Sequence, residues 1–154
     1  LDMSQFEKTW EELKRDEKGE TSITSGLKRI PNHLPALIKA EKIQHKAALI
    51  GFDWVDIKDV FEKIEEEYKE LLDECKQGNI KYIKEELGDL LFSIVNLARF
   101  LHIDSEEALN LTNQKFINRF EFMEENASKL HKKLEDLTLD QMEELWQSAK
   151  KNKL

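Results

Sequence analysis

Between residues 55 and 102 two stretches carry apolar residues at helical spacing, and Gln77-Gly78-Asn79 joins them. A glycine flanked by amide residues between two such runs predicts two antiparallel helices. The first stretch contains Glu66-Glu67-Tyr68-Lys69-Glu70, and the second contains Glu86-Leu87-Gly88-Asp89. Each thus offers two carboxylates three residues apart, on one side of its helix. At about 100° per residue, with Glu67 at zero, Val60, Ile64, Tyr68, Leu71 and Cys75 fall between roughly 20° and 100°. Glu70 and Glu74 fall on the other side of Glu67. With Glu86 at zero, Ile83, Leu87, Leu90, Ile94 and Leu101 fill a similar arc of roughly 40° to 100°, and Asp89 and Asn96 fall where Glu70 fell. Both helices therefore carry acids along the same edge of an apolar stripe. Packed as a hairpin, those edges converge.

A run such as Glu65-Glu66-Glu67 is by itself an ordinary solvated helix face. The second stretch argues otherwise. Leu87, Leu90, Leu91, Phe92, Ile94, Val95, Leu97 and Ala98 wrap most of its circumference, which predicts a mostly buried helix. An Asp inside that helix is costly without a partner. Four gathered carboxylates repel one another unless a cation neutralises them. Oxygen ligands without Cys or His favour Mg²⁺, or Mn²⁺, over zinc.

The 154 residues suffice for one domain with its own core. A net charge of −8 argues against a nucleic-acid polymer as partner. The single cysteine, Cys75, allows no internal disulfide, suits a reducing cytoplasm, and on the apolar face reads as a packed thiol. No apolar run approaches the ~20 residues that span a bilayer, so no membrane partner is expected. Few Gly and Pro and little β-type alternation predict an all-α fold. No Walker-type or G-x-G-x-x-G phosphate cradle is present.

Ser4 with Glu7 has the spacing of a capping box for a first helix that ends near Lys18-Gly19. Residues 19 to 33 read as a loop. Pro35 suits the first turn of a helix reaching Ile50, with Gly51 at its end, and Asp53 or Asp56 is expected to cap the acidic helix. Asp104 and Glu107 mark a helix to about Asn126, and Thr138 with Gln141 starts the last one. Lys115 and Arg119 stand one turn apart, as do Trp146 and Lys150. Alone, these are surface charges and core aromatics; beside a metal-held triphosphate they would serve as donors and stacking groups. The four histidines lack ligand spacing and are expected to be structural. The absence of Glu-x-x-His speaks against a di-iron bundle.

Several blocks together resemble the MazG-type nucleoside triphosphate pyrophosphohydrolases. They are Lys42-Ile43-Gln44, Gly51-Phe52-Asp53-Trp54, Glu66-Glu67-x-x-Glu70, Glu86 to Phe92, Val95-Asn96-Leu97-Ala98-Arg99, Lys115-Phe116-x-x-Arg119-Phe120 and Met142 to Trp146. The likeness runs from about residue 27 to 151, so residues 1–26 are expected to form an N-terminal helix and linker before the domain at 27–154. The resemblance implies an all-α helical bundle built on the acidic hairpin and completed as a homodimer. It also implies hydrolysis of NTPs or dNTPs between the α and β phosphates, giving monophosphate and pyrophosphate, a nucleotide-pool housekeeping role. By motif position Glu67, Glu70, Glu86 and Asp89 would hold Mg²⁺ and serve catalysis, with Glu67 or Glu70 orienting the water. Lys115 and Arg119 would contact the phosphate chain, and Lys42, Asn96, Trp146 and Lys150 would line the nucleotide site. Family members often carry two such domains in tandem, so a chain beginning at Leu1 is expected to be an excised C-terminal one. A non-catalytic helical interaction module, or a narrower dUTP, dCTP or phosphoribosyl-ATP pyrophosphohydrolase, would share much of this pattern.

Overall fold

The hairpin is closed by local chemistry at both ends and at its turn. In the computed structural model, which describes residues 2–19 and 22–154, the helices are α1 (Met3–Glu17), α2 (Ile23–Lys28), α3 (Ala36–Leu49), α4 (Ile57–Gln77), α5 (Ile80–Phe100), α6 (Ser105–Lys129) and α7 (Leu139–Lys151). A 3-10 turn at Leu134–Asp136 precedes α7, and no strand occurs among the described residues. Leu1, Glu20 and Thr21, the last two within the expected loop, lie outside them.

Asp56, rather than Asp53, caps α4: its Oδ1 accepts from the Lys58 N–H at 2.9 Å. Gly78 ends α4 in the left-handed region, with φ of 75°, and its N–H donates to Glu74 O at 3.0 Å. Asn79 at once caps α5, accepting from the Lys81 N–H at 3.1 Å. One residue thus stops a helix and the next starts another, which fixes the antiparallel return. The acidic hairpin α4–α5 makes the most extensive helix pairing, α3 packs on α5, and α1 and α2 rest on α3.

Backbone contacts divide the chain into two units, Leu1–Glu106 and Glu107–Leu154. In the first, Val60 and Val95 are buried between the helices, with Ile30 buried beyond α2. In the second, Met123, Ala127 and Ala149 are buried, and Phe116, Phe120 and Trp146 group their rings, with Phe116 stacked on Phe120 at 4.8 Å. Thr138 and Gln141 form the expected capping box of α7.

Four expectations are corrected. The α1 cap is Asp2, two residues before the expected Ser4: the helix starts at Met3, and the Asp2 carboxylate accepts from the otherwise unpaired Ser4 N–H of the first turn. Within the expected loop, Ser22 caps the short helix α2 by accepting from Ser25 N, so the Ser and Thr residues there start a helix instead of preventing one. Cys75 is exposed: it lies toward the end of α4, past the buried positions of that helix. The last concerns α5. Leu87, Leu91, Phe92 and Ile94 are all about half exposed, and Asp89 is exposed as well, so α5 is not a mostly buried helix. Within its unit α3 and α4 are its principal neighbours, and two neighbours cannot cover a helix that is apolar nearly all round.

The Gly78 turn yields a direct test. A Cβ there would meet nothing within 4 Å, so the cost of Gly78→Ala is conformational alone. Urea unfolding is expected to show a loss of about 1 kcal/mol for Gly78→Ala, and less for Gly78→Asn. Equal stability of all three proteins would contradict this role.

Candidate active site

Helical spacing places Glu67 and Glu70 on one side of α4 and Glu86 on the facing side of α5. One carboxylate oxygen from each of the three lies within 4.8 Å of the others. Glu67 is buried, Glu86 half-buried and Glu70 exposed. Asp89 stands outside this group of three. It lines the same cleft as Glu67, and its charge still bears on Glu86.

The electrostatics follow from crowding. Partial desolvation raises the Glu86 carboxyl above its ordinary range, and the charges of Glu70, Asp89 and Glu67 push it further in the same direction. Glu67 meets the problem differently. Lys63, one turn earlier on α4, places Nζ 2.6 Å from Glu67 Oε1 and 3.0 Å from Glu66 Oε2. Its hydrogen bonds to Glu67 and then Glu66 hold the ammonium proton well above the ordinary lysine range. Even so, Glu67 Oε2 and Glu86 Oε2 are buried and lack hydrogen-bond partners. Buried carboxylate oxygens without donors are costly in a protein interior. Hard oxygens from two helices, two of them orphaned, fit a divalent cation such as Mg²⁺.

Of the four acids, Glu67 and Asp89 line a cleft of about 470 Å³, large enough for a nucleoside. Gln44, Trp54, Lys63, Glu67, Asp89 and Asn96 are among its lining residues. Gln44 is buried and donates Nε2 to Phe92 O at 2.9 Å, joining α3 to α5 at the cleft wall. Lys42, on α3, is exposed and does not line this cleft. In the second unit, the Arg119 guanidinium lies 5.0 Å from the Trp146 ring centre and its Nε donates to Leu154 O at 2.6 Å. Lys115 and Lys150 are exposed there.

The MazG nucleotide pyrophosphohydrolase domain model matches residues 55–123, which include the whole acidic hairpin. Over those residues the chain is similar to the MazG family. The nucleoside triphosphate pyrophosphohydrolase/pyrophosphatase MazG of Thermotoga maritima is 47% identical over 143 residues, covering 93% of this chain and 54% of that protein. The nucleoside triphosphate pyrophosphohydrolase of Escherichia coli (strain K12) is 40% identical over 147 residues, 94% of this chain and 56% of that protein. The protein YabN of Bacillus subtilis is 46% identical over 142 residues, 29% of its length. The chain therefore spans about half the length of the Thermotoga maritima and Escherichia coli proteins.

Reasoning from sequence left two groups at this cleft unassigned. Lys63 carried a readable signal, a Lys one turn before Glu67 on the same helix face. The pairing of Arg99 with Asp53 carried none, since 46 residues separate them.

Glu86 provides the sharpest test of the cluster. Removing its charge relieves repulsion, so Glu86→Gln is expected to raise the Tm of metal-free protein at neutral pH while weakening Mg²⁺ binding. Folded Glu86 holds its proton more tightly than the unfolded chain does. That contribution to stability is therefore present at low pH and lost as pH rises through the elevated folded value. The Tm gap between variant and wild type should accordingly shrink on acidification. A variant no more stable than wild type in EDTA would show that the acids do not repel one another.

Proposed function

We propose that this chain hydrolyses nucleoside triphosphates, ribo- or deoxyribo-, between the α and β phosphates, releasing nucleoside monophosphate and pyrophosphate. The observation that carries the reading is the meeting of Glu67, Glu70 and Glu86, with orphaned buried oxygens, at the edge of a nucleoside-sized cleft in a MazG domain. The names of the Thermotoga maritima and Escherichia coli relatives support the same activity.

Glu67, Glu70 and Glu86, with Asp89 beside them in the cleft, are the residues that would hold Mg²⁺. Bound there, the ion would offset phosphate charge and favour an anionic nucleophile. The carboxylates of Glu67 and Glu70 are the groups on α4 that can orient a water and accept its proton. Lys63, already beside Glu67, keeps positive charge at the mouth of the acidic cluster. The Trp54 ring and the walls formed by Gln44 and Asn96 receive the nucleoside and exclude water from it. By resemblance to the family, Lys115 and Arg119 are assigned to the phosphate chain, and Lys42, Trp146 and Lys150 to the nucleotide.

A homodimer agrees with the half-exposed leucines of α5, whose burial against a second copy would be favourable. No helix among the described residues is long and apolar enough to cross a membrane. With a single cysteine, a reducing cytoplasm is the compartment that suits the chain.

Incubation with the eight common nucleoside triphosphates and Mg²⁺ is expected to give monophosphate and pyrophosphate; diphosphate with orthophosphate would mean that the wrong bond has been assigned. Glu67→Gln, Glu70→Gln, Glu86→Gln and Asp89→Asn should each cost about 10²-fold or more in kcat. Chelation with EDTA should abolish turnover, and Mg²⁺ or Mn²⁺ should restore it. Full activity in all four folded variants would end the proposal.

A further inference from the structure

An arginine on the wall of a nucleotide cleft is ordinarily read as a phosphate ligand. Arg99 is committed elsewhere. It lies in the last turn of α5, its side chain is only 12% exposed, and it lines the cleft together with Asp53 and Asn96. Its Nη2 donates to Asp53 Oδ1 at 2.5 Å and its Nη1 to Asp53 Oδ2 at 3.3 Å, a two-pronged ion pair that compensates the guanidinium charge. Its third donor, Nε, reaches Asn96 Oδ1 at 2.9 Å, one turn back on the same helix.

Two consequences follow from donor and acceptor chemistry. Arg99 Nε can only donate, so Asn96 must present its oxygen to Arg99. Its Nδ2, which has no partner among the described residues, is left as a donor on the cleft wall. Asp53 meanwhile also accepts from the Trp54 backbone N–H at 2.8 Å, and it follows Gly51, whose φ of 94° turns the chain out of α3. The ion pair therefore also pins the segment that carries Phe52 and Trp54, both of which line the cleft.

We propose that Arg99 is a positioning residue of the nucleoside cleft, anchoring the Asp53–Trp54 segment to α5 and turning the Asn96 Nδ2–H toward an acceptor atom of the bound nucleoside. This rests on the cleft being the nucleoside site proposed above. Lysine cannot replace arginine here, because one ammonium lacks the planar fork that holds Asp53 and Asn96 together.

The test compares wild type, Arg99→Lys, Asn96→Leu and the double variant, with ATP and saturating Mg²⁺. Arg99→Lys and Asn96→Leu are each expected to raise KM about tenfold, the value of one well-made hydrogen bond, with kcat within about twofold of wild type. Mg²⁺ binding, measured with the metal alone, should not change. If Arg99 acts through Asn96, the double variant should be no worse than the poorer single one. Affinity for AMP in EDTA, measured by calorimetry, should fall in parallel and gives a readout independent of turnover. An Arg99→Lys protein with wild-type KM and AMP affinity overturns the proposal, as does full additivity in the double variant or a fall in kcat that tracks lost Mg²⁺ binding. A wild-type protein that hydrolyses no triphosphate sinks the enzymatic reading instead, while the AMP series still decides the role of Arg99.

Discussion

Mutual repulsion among carboxylates is the constraint around which the first unit is arranged. Three acids from two helices share a space less than 5 Å across, and nothing in the apolar packing requires them to be there. The hairpin holds them because its turn is specified residue by residue: Gly78 accepts the left-handed backbone and Asn79 caps the next helix. Tight local closure is what keeps unfavourable neighbours together. The strain appears where it should, as a Glu86 carboxyl that resists ionising and as buried oxygens without donors.

Lys63 shows how the fold tolerates this arrangement. One ammonium, shared between Glu66 and Glu67, answers part of the negative charge. Both pairs lie within one helix, so they form as α4 forms. Glu86 and Glu70 have no such neighbour among the described residues. The compensation is therefore incomplete, which leaves the cluster able to hold a cation. A fully paired cluster would have to break its own ion pairs before it could bind one.

Farther along the cleft the logic reverses. Arg99 and Asp53 neutralise each other, and Gln44 is tied to the Phe92 carbonyl. The wall there presents aromatic rings and side-chain amides, and the Arg99–Asp53 pair adds no net charge to it. On the proposed reading, a cation held at the acidic end would meet the phosphates of a nucleotide, and the neutral end would take its uncharged base and sugar. The apolar residues of α5 that remain half exposed are a separate matter, because they lie beyond what α3 and α4 cover.

The acidic hairpin, its turn, the cap of α7 and the pairing of acids along one edge were legible in the sequence, because helical periodicity and capping are local and depend on residues within one or two turns. The sequence also carried the MazG motifs. It did not reveal that α5 would lie half exposed, that Asp89 would fall outside the group of three closest acids, that Asp2 would cap the first helix, or that Ser22 would start a helix of its own. Periodicity says which side of a helix a residue occupies, but not how many neighbours will cover that side. Tertiary structure alone decided which acids meet and which arginine grips which aspartate. Those outcomes depend on the register between helices, where a shift of one residue turns a side chain by about 100°, and no short-range pattern encodes that register.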